Sequence, residues 1–144
     1  MSDADLVKLY SGQILQLAGS IPHLGRLAQP CGSAKLRSPV CGSTIGVDVV
    51  VADGRITDFA QEVRACALGQ AAASVLGRVV IGCNRAELAQ ARNEVTALLT
   101  ANGPAPLPPF GGFEVLRAAK DYKNRHASIL LALNATIAAM DAST

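Results

Sequence analysis

Apolar positions along this chain keep two different periods, and the changes between them mark the elements. Leu6, Tyr10, Ile14 and Leu17 fall on one face at helical spacing, which predicts a first helix opened by Asp3 or Asp5 and ended by Gly19 and Pro22. Residues 22–43 are rich in Gly, Pro, Ser and Cys and read as loop, with a short strand near Ala34 to Arg37. Thr44 to Ala52 and Arg55 to Val63 are strand-like runs joined by Asp53-Gly54, a turn that needs positive φ at both central residues and so predicts a β-hairpin. After Cys66 the pattern turns helical, with a run of small side chains from Ala67 to Leu76 that lets a helix lie close against a sheet and stop near Gly82. Asn84 with Glu87 three residues on forms a capping-box signature. The helix it opens carries Leu88, Ala91, Val95, Leu98 and Leu99 on one stripe and ends at Asn102-Gly103-Pro104. A Pro/Gly stretch, Gly103 to Gly112, leads to a short helix over Phe113 to Ala119. A last helix over Arg125 to Met140 turns Ile129, Leu130, Leu133, Ile137 and Met140 inward.

Helix, small antiparallel sheet, then several helices is an α+β layout: a three-stranded antiparallel sheet with helices packed on one face. The 144 residues suit one domain, 1–144. Half of them are apolar and few are aromatic, so the core must be made of Ala, Val, Leu and Ile in close contact. A net charge of +2, with no aromatics among the basic residues, argues against nucleic acid as a partner. No apolar run is long enough to span a membrane, and Met1 to Asp5 lacks the apolar core of a signal peptide. The expected setting is therefore cytoplasmic, where four cysteines serve as thiols or ligands more often than as a disulfide framework.

Chemistry concentrates on the hairpin's open end. Continuing the Asp53-Gly54 register outward sets Cys41 opposite Cys66, and a bulge would slip this by one residue while keeping the two close. Cys66 falls where a strand becomes a helix, and free N–H groups at a helix start favour a thiolate; Arg64 acts the same way. His126 opens the last helix on its apolar side, in line with Leu130, Leu133 and Ile137. Thiolates with an imidazole suit Zn²⁺ or an iron–sulfur centre.

These segments resemble the U-type iron–sulfur cluster assembly scaffolds (IscU, SufU and the NifU N-terminal domain), with a SufE/NifU-like fold. Tyr10-Ser11 resembles the start of the family's opening helix. Pro39-Val40-Cys41-Gly42-Ser43 is similar to its Pro-x-Cys-Gly-Asp loop, and Gly54-x-Ile56-x-Asp58-Phe59 to its third strand. Cys66-x-x-x-Gln70-Ala71-Ala72-Ala73-Ser74 is similar to the second-cysteine helix, and His126-Ala127-Ser128-Ile129-Leu130 to the His-Cys-Ser-x-Leu segment. The resemblance implies a non-enzymatic scaffold on which a transient [2Fe–2S] cluster is assembled, with Zn²⁺ possible in the same site. It implies Cys41, Cys66 and His126 as cofactor and metal ligands, a cysteine desulfurase as sulfur source, and carrier or apo-proteins as recipients. Two positions depart from the pattern: the third cysteine is Ala127, and the aspartate after Cys-Gly is Ser43.

Plainer readings stand beside these. Cys83, at a helix boundary, reads as an inert buried thiol. Cys31 is open to two readings, exposed loop thiol or accessory ligand. A histidine on an apolar stripe is ordinarily a hydrogen-bonded core residue, which is the alternative for His126. His23 reads as solvated, and Arg117, Lys120, Lys123 and Arg125 as a solvated face. Two other functions compete: an adaptor or sulfur acceptor that docks on a desulfurase without holding a full cluster, and, ranked lower, an enzyme with Cys66 activated by His126.

Overall fold

The computed structural model describes residues 12–40 and 42–143. The described part of the first helix is α1 (Gly12–Ala18); its predicted start, with Leu6 and Tyr10, lies outside the described residues. Ile14 is fully buried, as the helical stripe requires. Three strands follow, β1 (Gly32–Arg37), β2 (Thr44–Ala52) and β3 (Arg55–Arg64), in an antiparallel sheet of order β1-β2-β3. Then come α2 (Ala67–Val79), α3 (Arg85–Thr100), a 3₁₀ helix (Phe110–Ala119) and α4 (Lys123–Asp141).

Local chemistry explains most boundaries. Asp53 and Gly54 have φ of 54° and 77°, the positive pair that the hairpin turn demands. Asn84 accepts from the Glu87 amide at 2.8 Å while the Glu87 carboxylate accepts from the Asn84 amide at 3.0 Å, so the capping box is complete. The α3 stripe is buried at all five expected positions.

Three expectations need correction. β1 begins at Gly32, two residues before Ala34, because Gly32 itself packs on α4: a Cβ there would meet the Ala139 carbonyl. The 3₁₀ helix starts at Phe110, three residues before Phe113, and its buried Phe110 and Phe113 side chains anchor it. The hairpin register steps by one between Val50 and Val51, with Val51 opposite Ile56 but Val50 opposite Asp58. Thr57 is thus the extra residue of a bulge. The step puts Thr44 opposite Arg64 and not opposite Val63, and the Cys41 half of the expected cysteine pairing lies outside the described residues.

The helices cover one face of the sheet. α4 lies across β1 and β2, α2 lies against β3, and α4 and α2 pack on each other. Small residues permit the close approach: a Cβ on Gly69 would come within 2.6 Å of Ser128 Oγ. α4 is buried on most of its circumference, including Ile129, Leu131, Leu133 and Ile137, and so forms the centre of the core. Leu130, predicted inward, is only partly buried.

The opposite face carries one buried carboxylate. Asp48 accepts from Arg26 Nε (2.6 Å), Ser33 Oγ (2.6 Å) and the Leu27 amide (3.1 Å), which pins the loop after α1 onto the sheet. Burial alone would raise this carboxyl, but those three donors outweigh it and hold it below the usual carboxylate value. On β1, Ser33, Lys35 and Arg37 point outward and are exposed.

Candidate functional site

The site is built where β3 ends and α2 begins. Cys66 is the N-cap of α2 in extended conformation, and its side chain makes no capping bond. A serine or aspartate at this position would have satisfied a helix N–H; the thiol is left available instead. Among the described residues its hydrogen-bond partner is Ser128, whose Oγ lies 3.5 Å from Cys66 Sγ. Ser128 is fully buried on α4 and sits 3.0 Å from Ser43 Oγ. A chain of three small polar groups, Ser43–Ser128–Cys66, therefore crosses from the β1–β2 loop to the start of α2.

That loop is tightly closed. The Ser38 amide donates to the Ser43 carbonyl at 2.8 Å, and the Gly42 amide donates to the Ser38 carbonyl at 3.0 Å. Gly42 has φ of 72°, which favours glycine, with the Arg37 guanidinium nearby. Cys41 lies outside the described residues, between exposed Val40 and this Gly42.

His126 sits in the first turn of α4, partly buried. Its Nε2 lies 3.1 Å from the Ala119 carbonyl oxygen and 3.0 Å from that of Lys120. The ring also borders an open cavity of about 630 Å³ between the end of α3 and the start of α4, with Asn102, Lys120, Asp121 and Lys123 around it. Among the described residues no three His, Cys, Asp or Glu side chains group closely enough to hold a metal. The hydrogen bonds join Cys66 to Ser128 and Ser43, and join His126 to the turn after the 3₁₀ helix.

The other singled-out residues are placed plainly. Cys83 is buried, with Sγ donating to the Val79 carbonyl at 3.2 Å. Burial, and then the Glu87 charge, push its thiol up. Cys31 is partly buried, and its amide donates to the Val49 carbonyl. His23 is exposed, as expected, and its ring also packs edge-on against Phe59. Arg117 bonds Glu114, Asn102 and the Gly103 carbonyl, so it braces the 3₁₀ helix and is no free surface charge. Ser128 is the residue the sequence reading undervalued. Its signal was spacing: two residues beyond His126 on a helix, it points to the opposite side, toward α2.

Comparison with known proteins places the chain in a class. It matches the family of the NifU-like N terminal domain over residues 9–128, and so belongs to that family. No curated protein matches it. Among solved structures it is similar to a nitrogen-fixing NifU-like protein (N-terminal) from Brucella abortus, with 42% identity, 95% of each chain covered and a TM-score of 0.91. It also resembles a hypothetical protein solved at 2.3 Å, with 25% identity, 94% and 98% coverage and a TM-score of 0.79. A third likeness is to a chain from Fervidobacterium islandicum AW-1, proposed as an iron–sulfur cluster assembly scaffold for the SUF system. There the identity is 19%, the coverage 93% and 98%, and the TM-score 0.80; at that identity the likeness shows the fold.

Proposed function

We propose that this chain is an iron–sulfur cluster assembly scaffold, a single domain over residues 1–144 with no turnover chemistry of its own. Iron, a [2Fe–2S] cluster or Zn²⁺ is its cargo, held by Cys41, Cys66 and His126. A cysteine desulfurase supplies sulfide, and carrier or recipient proteins in the cytoplasm take the cluster. The observation that carries this reading is Cys66: in a chain of the NifU-like family, it is a half-buried thiol at a helix N-cap, left without a capping bond. The donor chemistry fits, since thiolate sulfur and imidazole nitrogen suit both Zn²⁺ and iron–sulfur clusters. No described helix is long and apolar enough to cross a membrane.

The test is anaerobic reconstitution with iron and sulfide, followed by absorption spectra and metal counting. Wild type is expected to take up metal, and Cys41→Ser, Cys66→Ser and His126→Ala each to weaken uptake. Equal metal content in wild type and the Cys41/Cys66 double variant would overturn the reading. One feature favours the second reading, an adaptor or sulfur acceptor docking on a desulfurase. Ala127 and Ser43 stand where the family pattern has a thiol and a carboxylate, and the Ser43 hydroxyl lies against Ser128. Desulfurase binding without metal uptake would select it.

A further inference from the structure

The sheet has two outer edges, and the fold treats them differently. On β3 the outward backbone groups at mid-strand belong to Gln61: its amide donates to the His23 carbonyl at 2.9 Å, and its carbonyl accepts from the Gly25 amide at 2.9 Å. The loop after α1 thus covers that edge. On β1 the outward groups follow from the ladder. The Ser38 amide donates to the Ser43 carbonyl, so these two form a hydrogen-bonded pair. Such pairs alternate along an antiparallel ladder, and the register then sends the bonds of Leu36 to Ile45 and of Ala34 to Val47. The amides and carbonyls of Ser33, Lys35 and Arg37 therefore point away from β2. Among the described residues no strand pairs with them.

The side chains give this edge a sign. Lys35 and Arg37 are exposed on the outer face. The register carries Arg37 across Thr44 to Arg64, and Lys35 across Gly46 to Glu62. Among the described residues Lys35, Arg37 and Arg64 take part in no ion pair. Of the carboxylates on this face, Asp48 is committed to Arg26, Ser33 and the Leu27 amide, and Glu62 stands two strands from Lys35, about 10 Å between backbones. Ala34 and Leu36 alternate with the exposed residues and pack, partly buried, against the core. A strand laid along β1 would therefore meet cation, apolar residue and cation in turn.

We propose that the β1 edge is a docking strand for an extended segment of a partner protein in which acidic and apolar residues alternate. The segment pairs antiparallel with Ser33, Lys35 and Arg37, places carboxylates opposite Lys35 and Arg37, and turns the residue between them inward beside Leu36. In strand addition of this kind the main chain supplies affinity and the alternate side chains supply specificity. The docked segment ends beside the Ser38–Ser43 loop, which brings its owner to the end of the sheet where Ser43 meets Ser128 and Cys66. The inference needs no metal in that site.

The probe is a short end-capped peptide of alternating glutamate and valine, titrated into ¹⁵N-labelled full-length protein. Shifts should concentrate on the amides of Ser33, Lys35 and Arg37, and their exchange should slow about tenfold near saturation. Shifts centred elsewhere, or none at about 1 mM peptide, would overturn the proposal. The same peptide N-methylated at its pairing amides should lose binding; equal binding would mean that charge attraction acts alone and no strand is added. Wild type should reject a lysine–valine peptide, and equal binding of both peptides would remove the acidic specificity without any substitution being needed. Lys35→Glu combined with Arg37→Glu should weaken the glutamate peptide at least about tenfold and admit the lysine peptide. Protection of the same amides without peptide, rising with protein concentration, would give the edge to a second copy and overturn the acidic partner.

Discussion

Each end of the β2–β3 hairpin has a cysteine at the start of a helix, and the two are treated in opposite ways. At the turn end, Cys83 precedes the N-cap of α3 and sits in a network of hydrogen bonds. Its thiol donates to Val79, its carbonyl accepts from the Ile56 amide at 2.9 Å, Asn84 and Glu87 complete a capping box, and Arg55 bonds both Glu87 and the Gly82 carbonyl. At the open end, Cys66 is itself the N-cap of α2, caps nothing, and meets one hydroxyl. The same residue type at a similar backbone position thus finishes a structure in one case and leaves bonding capacity in the other. Availability of donor atoms, more than the presence of cysteine, separates a chemical site from a structural one.

The largest contrast should appear in reactivity. In metal-free protein, Cys66 should be alkylated roughly a hundredfold faster than Cys83, whose thiol is reached only through local opening. A mass-spectrometric time course measures this, and modification of Cys83 at the same rate would erase the distinction. A direct way to break the open end is Gly69→Ala. The new Cβ would lie 2.6 Å from Ser128 Oγ and 2.8 Å from the Ala65 Cβ, so the Ser128 hydroxyl must turn away and the junction of Ala65 with α2 must shift. A loss of about 1–3 kcal/mol in chemical denaturation is expected, together with faster metal release as Ser128 leaves Cys66.

At the saturated end, Asn84→Ala should cost about 1 kcal/mol through loss of the capping box and leave metal uptake at the wild-type level. A change in metal uptake would show that the two ends are coupled. The smallest effect concerns alkaline pH. The Cys83 thiol is raised above its ordinary 9.0 in the folded protein, so the unfolded chain ionises first. Its contribution is therefore complete below that value and lost as pH rises through the folded value. Wild type should lose more stability than Cys83→Ala between about pH 8 and about pH 10 in matched denaturant titrations. Parallel curves for the two proteins would contradict the burial argument.

How much of this was legible in the sequence depended on range. The Asp53-Gly54 turn, the Asn84–Glu87 box and the five-residue α3 stripe are local signals, and each is found in the structure. The bulge was not legible, because Thr57 is β-branched and looks like any strand residue; only pairing with Val50 reveals it as extra. Pro108 and Pro109 made the start of the 3₁₀ helix look like linker, since the burial of Phe110 is decided by distant side chains. The same holds for the site. Cys66 could be placed at the strand-to-helix junction from sequence, but Ser43 and Ser128 are 85 residues apart, and their meeting depends on the packing of α4 across the sheet.

The alternation on β1 has a consequence for this protein in a crowded solution. Among the described residues no strand pairs with the outer edge of β1, and such an edge is a template for another chain's backbone. A second copy adding itself there antiparallel would bring its own Lys35 and Arg37 against these two cations, desolvating like charges with nothing to neutralise them. The two side chains act as a guard against edge-to-edge pairing of two copies. Replacing both with threonine would leave the monomer's interior untouched and give it an edge free to pair with a second copy.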